Sequence, residues 1–403
     1  MKILIINKFL HPGGGSETYV FSVGAALETL GHAVQYFGMD HPERIVKNAA
    51  NSYTANMDFQ ATKMKNWTYP FRIIYSFEAR KKLRAVLKDF RPDIVHLNNF
   101  NFQLTPSILH EIRAFEQQQK QKIRIIYTAH DAQLLCPNHL MRQHISGERC
   151  MRCLEGSVYN CARHKCIHGS RIKSLLGSVE GCIYRRFKTY RLIDAIICPS
   201  RFMKACLDKS PVLREKTVVM PNFVPESLKI CHCEPPPTPY VLYFGRYSPE
   251  KGINTLLAVA RTLPEIPFVF AGSGPLEAEL NKDDNIENRG FLSGGALTAV
   301  IKDAAFALFP SECYENSPFA VMEALSLGTP VIAADIGGVP ELIADGVNGE
   351  LFTCGDADEL CEKIHRLWND PVRLAAYRTA CANTQFMTAA EYGRKLVEDI
   401  YGR

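Results

Sequence analysis

The chain reads as an α/β protein built from two successive doubly wound domains, and three observations carry that reading. Short apolar runs, beginning with Ile3-Leu4-Ile5-Ile6, alternate with stretches of helical periodicity, as in parallel sheets buried on both faces. At 403 residues the chain exceeds what one hydrophobic core usually holds. A proline-rich stretch at residues 231–239 (CHCEPPPTP) then interrupts the series, and a second β/α series starts at Tyr240. With 46% hydrophobic and 22% charged residues the composition is globular. A net charge of only +5 argues against a nucleic-acid partner. No apolar run approaches the roughly 18–20 residues of a spanning helix. The run after Met1-Lys2 is too short for a signal peptide. A cytoplasmic location is therefore expected, with the 14 cysteines mostly reduced.

The first domain opens with the Ile3–Ile6 run as a strand, then the loop HPGGGS at residues 11–16 and a helix over 17–30 closed by Gly31. Glycines there let backbone approach an anion. The GxGxxG dinucleotide pattern fails, because Thr18 stands where the third glycine belongs. Residues 41–70 read as a polar, mobile excursion. A helix over 71–89, a strand over 92–97, a helix over 105–118 and a strand over 122–128 follow. His130 and Asp131 then sit at the carboxyl end of a strand, where such sheets bind ligands; capping the loop is the plainer role.

Cys150-x2-Cys153 and Cys161-x4-Cys166 follow, with His164 and His168 alongside. The first spacing suits a zinc knuckle, but the interval to Cys161 is short and the last spacing loose, so structural zinc, reduced thiols and disulfides all stay open. Between residues 163 and 191 lie eight basic residues, Glu180 as the lone acid, and apolar residues at helical spacing. Such a helix can lie on an anionic membrane surface or pack on its own domain with solvated basic side chains. A strand over 193–198, a helix opening at Pro199-Ser200 and a strand over 218–220 close the domain.

In the second domain, strands are expected at 240–245, 268–271 and 305–309, with helices at 254–262, 276–280 and 297–303, and Gly290-Phe291-Leu292 between them. Residues 309–340 are the most informative stretch. Ser317 is read as the N-cap and Pro318 as the first residue of a helix closed by Gly328. Its first turn has no acid, so it suits an outside anion. Glu323 stands in an otherwise apolar helix, where an unpaired carboxylate is costly, and Glu315 lies just before it. Helices over 357–368, 372–382 and 389–400 finish the chain.

The decisive set is ordered: Gly245-Arg246-Tyr247-Ser248-Pro249-Glu250-Lys251-Gly252, then Gly272-Ser273-Gly274-Pro275, then Glu315-x7-Glu323, then Gly337-Gly338-Val339-Pro340-Glu341. Together with the HPGGGSETYV opening it resembles the retaining, nucleotide-sugar-dependent glycosyltransferases of family 4, over essentially the whole length. The resemblance implies a GT-B fold: two Rossmann-like domains facing a central cleft, with a C-terminal helix crossing back to the first. It divides the chain into an acceptor domain at 1–215, carrying a cysteine-rich insertion at about 136–168, a donor domain at 216–385 and the crossing helix at 386–403.

By the same resemblance, Arg246 and Lys251 would grip the donor diphosphate in place of a divalent metal, with no cofactor needed for catalysis. Glu323 would bind the ribose, and Glu315 the transferred sugar without acting as a covalent nucleophile. Phe319 and Ala320 would offer backbone N–H groups beside Ser317. Gly14 and Gly15 would close on the phosphates, and Gly274 belongs to the donor-side loops. Phe291 and Leu292 would hold the base, and His130 would lie near the donor sugar. Pro318 departs from the pattern, standing where many relatives have glycine and removing one backbone donor.

The implied partners are a UDP- or GDP-sugar and a glycan or lipid-linked acceptor, with an anionic membrane surface met through residues 163–191 at the cytoplasmic face. A nucleotide-sugar epimerase or a non-catalytic nucleotide-sugar-binding protein would be the alternatives. The first would need a second set of acid/base carboxylates that the sequence does not offer, and the second would leave Arg246, Lys251, Glu315 and Glu323 without a joint task. A nicotinamide oxidoreductase is disfavoured because Glu277 stands where the third glycine after Gly272-x-Gly274 would be.

Overall fold

In β1 (Lys2–Ile6) four of five residues are buried, because neighbours cover both faces of the strand. The computed structural model describes residues 1–56, 69–225 and 239–402. The expected connection at 231–239 falls outside them apart from Pro239. Around β1 stand β2 (Ala33–Phe37), β3 (Ile94–Leu97), β4 (Arg124–Thr128), β5 (Ala195–Cys198) and β6 (Thr217–Val219). All pair in parallel, in the order β2-β1-β3-β4-β5-β6. A second parallel sheet contains β7 (Val241–Arg246), β8 (Phe268–Ser273), β9 (Ile286–Asn288), β10 (Phe306–Phe309), β11 (Val331–Ala334) and β12 (Gly349–Phe352). Its order is β12-β11-β10-β7-β8-β9. The chain divides into two units, Met1–Asn222 with Ala389–Arg403, and Phe223–Thr388. The boundary expected at residue 216 therefore moves, since Thr217–Val219 extends the first sheet by pairing with β5.

Helices adjust in several places for local reasons. Instead of one helix over 71–89, Tyr69–Ile74 and Phe77–Phe90 form two, because the Ser76 side chain caps the second by accepting from the Ala79 N–H. The basic helix is shorter than 163–191: it runs Arg171–Arg186, started by the Ser170 side chain accepting from Lys173 N–H. Residues 41–56 are pinned down and not the excursion expected, since buried Asn48 donates to Tyr36 O at 2.9 Å and Ser52 O at 3.1 Å. Residues 57–68 lie outside the described residues. No helix among the described residues is long and apolar enough to cross a membrane.

The terminal helix Ala389–Lys395, continued by a π-helical turn at Leu396–Tyr401, belongs to the first unit. Gly393 lets it lie close on the Gly15–Thr29 helix, where an added Cβ would meet the Ala26 Cβ at 3.1 Å. Buried Tyr392 shares a 2.9 Å hydrogen bond with Tyr19, and Tyr401 a 2.6 Å bond with His96 Nδ1.

Candidate functional site

In the second sheet the chain runs from β7 outward to β8 and β9, then returns to lay β10 on the other side of β7. That reversal is a topological switch point, and ligands of such sheets bind outside the carboxyl ends of the strands there. Arg246 ends β7, and Pro310 to Glu315 follow β10. The two loops are laced together by Glu312 N–H donating to Glu250 O at 2.9 Å.

Here Lys251 Nζ lies 2.6 Å from Glu315 Oε1, with side chains 31% and 13% exposed. Ser311 Oγ donates to the same oxygen at 2.6 Å, and the Cys313 thiol points to it at 3.7 Å. Burial alone would pull the Lys251 ammonium down. Glu315, Cys313 and Glu250 outweigh it and hold the lysine charged, above its ordinary value. The pair joins residues 64 positions apart. Sequence reasoning singled out both ends but neither their contact nor Ser311; polar Ser311 two residues past a buried strand was the available signal. Arg246 is exposed and, among the described residues, its guanidinium has no ion-pair partner.

The glycine loops lie against these groups. A Cβ on Gly274 would stand 2.4 Å from Tyr247 O, and Tyr247 N–H donates to Ser273 O at 2.9 Å. The loop after β8 is thereby closed on the backbone beside Arg246. Gly272 N–H in turn donates to Gly290 O at 2.8 Å, which brings Phe291 (74% exposed) and Leu292 to the same end of the sheet. Gly337, at φ +61, holds the loop after β11 so close to Glu315 that a Cβ would stand 2.2 Å from its carbonyl oxygen.

The helix after β10 runs Phe319–Ser326, capped by Pro318 and not by Ser317. Ser317 is buried, and its hydroxyl donates to Met322 Sδ of that helix at 3.7 Å. The first turn holds no acid, and Phe319 and Ala320 start it half-buried. Burial pushes the Glu323 carboxyl up to about 7, and no described residue pairs with it. A half-buried carboxylate without a partner is costly unless something outside the chain hydrogen-bonds it.

The first unit presents different chemistry. Gly14 caps the Gly15–Thr29 helix, and both glycines are exposed. Glu17, in the first turn and buried, accepts from Asn7 Nδ2 at 2.9 Å, so here the helix start already faces a carboxylate. His130 follows β4; its Nε2–H donates to Asn98 Oδ1 at 2.8 Å, and its ring stands edge-on to Tyr19 at 4.8 Å. Burial lowers its imidazole to about 4 against the opposing pull of Asp131, so at neutral pH the ring is uncharged with its lone pair on Nδ1. Arg246, Lys251, Glu315, Glu323, Gly274, Phe291, Leu292, Ser317, Phe319 and Ala320 thus belong to one unit, and Gly14, Gly15 and His130 to the other.

Known proteins agree with this architecture. The family model described as Glycosyltransferase Family 4 matches residues 13–228, and that described as Glycosyl transferases group 1 matches 232–384. An uncharacterized glycosyltransferase of Methanocaldococcus jannaschii is 28% identical over 51% of this chain. A sulfoquinovosyl transferase of Arabidopsis thaliana is 34% identical over 34% of it. These alignments span 58% and 28% of the relatives' own lengths. Among solved structures, sucrose-phosphate synthase of Thermosynechococcus elongatus superposes with a TM-score of 0.69 at 18% identity, covering 98% of this chain and 97% of that one. Anabaena HepE, solved in complex with UDP-glucose, superposes at 0.67 with 17% identity, covering all of both chains. The fold is accordingly GT-B, and with more than half of its residues inside the matching family model the chain belongs to glycosyltransferase family 4.

Proposed function

We propose that the protein transfers a sugar from a nucleoside-diphosphate sugar to an acceptor hydroxyl, in glycan or glycolipid assembly. The observation that carries this reading is the constellation at the β7/β10 switch point: the Lys251–Glu315 pair, with Arg246 and Glu323 both lacking an ion-pair partner among the described residues. Two cations suit a diphosphate, and a lone half-buried carboxylate suits a pair of ribose hydroxyls. UDP is the proposed nucleotide, supported by fold neighbours solved with UDP and UDP-glucose.

The chemistry follows from who is already occupied. Glu315 Oε1 accepts from Lys251 and Ser311, which leaves it a poor nucleophile and a good anchor for the cation. Transfer with retention would then break the bond from the anomeric carbon to the diphosphate oxygen as the acceptor oxygen bonds to that carbon on the same face. The acceptor proton passes to the departing phosphate. Arg246 and Lys251 stabilise the charge developing on the leaving group, the work a divalent metal would otherwise do.

The acceptor is proposed to be a glycan precursor on a lipid carrier. Its support is the Arg171–Arg186 helix and the turn after it, where Ile172 (67%), Leu175 (50%) and Phe187 (71%) are exposed beside Arg171, Arg186 and Lys188. Flotation with anionic and neutral vesicles tests it, and binding to neither removes that support.

Turnover is tested by incubating the protein with UDP-, GDP- and ADP-sugars and candidate acceptors, with and without chelator. Acceptor-dependent release of UDP in chelator is expected. Strict dependence on a divalent metal would overturn the role of the two cations, and an epimerised donor formed without acceptor would overturn transfer itself.

A further inference from the structure

A cysteine-rich segment follows His130. Five thiols, from Cys136, Cys150, Cys153, Cys161 and Cys166, line one cavity together with Asn138 and Arg142. The surrounding chain has little regular structure of its own. Its helices, Arg152–Glu155 and Asn160–Arg163, are four residues each. His139, Met141, Lys165 and His168 all adopt positive φ. Its apolar cluster packs Cys153, Cys161 and Ile167 with Phe102 and Cys166, and Leu134, Leu135, Met141, Leu154 and Val158 are also buried. Short, loop-rich segments are commonly fastened by a metal or by disulfides, and the described cysteines form no disulfide.

Polar groups stand beside the sulfurs: the Cys136 thiol donates to Asn138 Oδ1 at 2.9 Å and the Cys153 thiol to Val158 O at 3.9 Å. Arg185 donates to Cys153 O at 2.6 Å and Leu135 O at 2.7 Å, and Arg142 borders the cavity, so cationic charge is already in place.

We infer that Cys150, Cys153, Cys161 and Cys166 form a structural zinc site, with Cys136 as a fifth thiol beside it. Soft thiolates in a tetrahedral set select zinc among the common divalent ions. Each thiol releases its proton to solvent on binding, so four protons leave and the centre carries two negative charges, which Arg142, Arg152 and Arg185 offset. Neighbouring sulfurs in such a centre lie about 3.8 Å apart. Here no three of them stand within 4.8 Å of one another; the described triad that does is His11, His41 and Glu43. The assignment therefore requires a change of χ1 at the ligating cysteines on binding, into the cavity they already line.

The test is metal analysis of the full chain, purified under reducing conditions without added metal. About one zinc per chain is expected, released when the thiols are blocked with an organomercurial. Cobalt exchanged into the wild-type protein should show thiolate-to-metal charge-transfer absorption, a readout that requires no variant to fold. Cys161→Ser should lower zinc content at least tenfold, whereas Cys182→Ser, outside the cavity, should leave it unchanged. Iron in place of zinc, a disulfide within the peptide spanning residues 150–166, or freely titrating thiols after zinc reconstitution would each overturn the assignment.

Discussion

The carboxyl ends of the two sheets differ in how they treat polar groups. In the first unit Tyr19, Thr128, His96, Tyr392 and Tyr401 satisfy one another in a buried, uncharged network: Thr128 Oγ1 lies 3.0 Å from Tyr19 Oη and 2.7 Å from His96 Nε2. Burial lowers the His96 imidazole to about 3, so this network is neutral across the physiological range. In the second unit the same end of the sheet holds Arg246 at the end of β7 and Glu323 in the helix after β10, neither with an ion-pair partner among the described residues, and Lys251 charged against Glu315. A neutral, self-satisfied network fixes a helix in place; open charges at a switch point await a charged ligand. On the proposed function, the contrast gives recognition of the donor diphosphate to the second unit, while the first fastens the C-terminal helix.

Removing Arg246 should break that contrast most severely. Arg246→Ala is expected to cost about 10²–10³ in turnover. The melting temperature should hardly move, because an exposed side chain with no ion-pair partner contributes little to stability. Near-native turnover would reduce Arg246 to a surface residue. Lys251→Ala should lose turnover on the same scale and also destabilise the fold by about 1–3 kcal/mol in denaturant melts, since half-buried Glu315 is left without its cation.

Glu323 sharpens the comparison through pH. Burial pushes its carboxyl up to about 7, so the ionised form proposed to accept ribose hydroxyls is lost as pH falls through that value. Affinity for UDP should therefore weaken below about pH 7, and Glu323→Gln should bind more weakly and without that step. An unchanged pH profile in the variant would remove the ribose role.

The first unit should respond to acid in its stability. His96 and His130 titrate near 3 and 4 when folded and near 6.5 once exposed. Between those values the unfolded chain binds more protons, so stability falls as pH drops below about 6.5. Hydrogen exchange, corrected for intrinsic rates, should show β3 and β4 losing protection between pH 7 and 5 ahead of β7 and β10. Tyr392→Phe is the mildest change, expected to cost about 0.5–1.5 kcal/mol and to leave UDP affinity alone.

Legibility in the sequence followed burial. Central strands such as Ile3–Ile6 declare themselves because both faces are covered and every residue is apolar. Edge strands β9 and β12 escaped, since Ile286-Glu287-Asn288 and Gly349-Glu350-Leu351-Phe352 are short and half polar. The break before Phe77 was hidden because Ser76 fits helical periodicity as readily as it caps. At the site, the residue types and their order were readable, including Glu323 stranded in an apolar helix. The Lys251–Glu315 pair was not, because a contact across 64 residues depends on β10 returning to the side of β7. The turning of Ser317 toward Met322 was likewise a packing outcome, leaving Pro318 as the cap.

The most direct test is a calorimetric titration of UDP into the wild-type chain and into Arg246→Ala, both in chelator. The account predicts metal-free binding to the wild type, weakened at least tenfold by the substitution. Equal affinity in the two proteins, or binding to the wild type only once a divalent metal is restored, would contradict it.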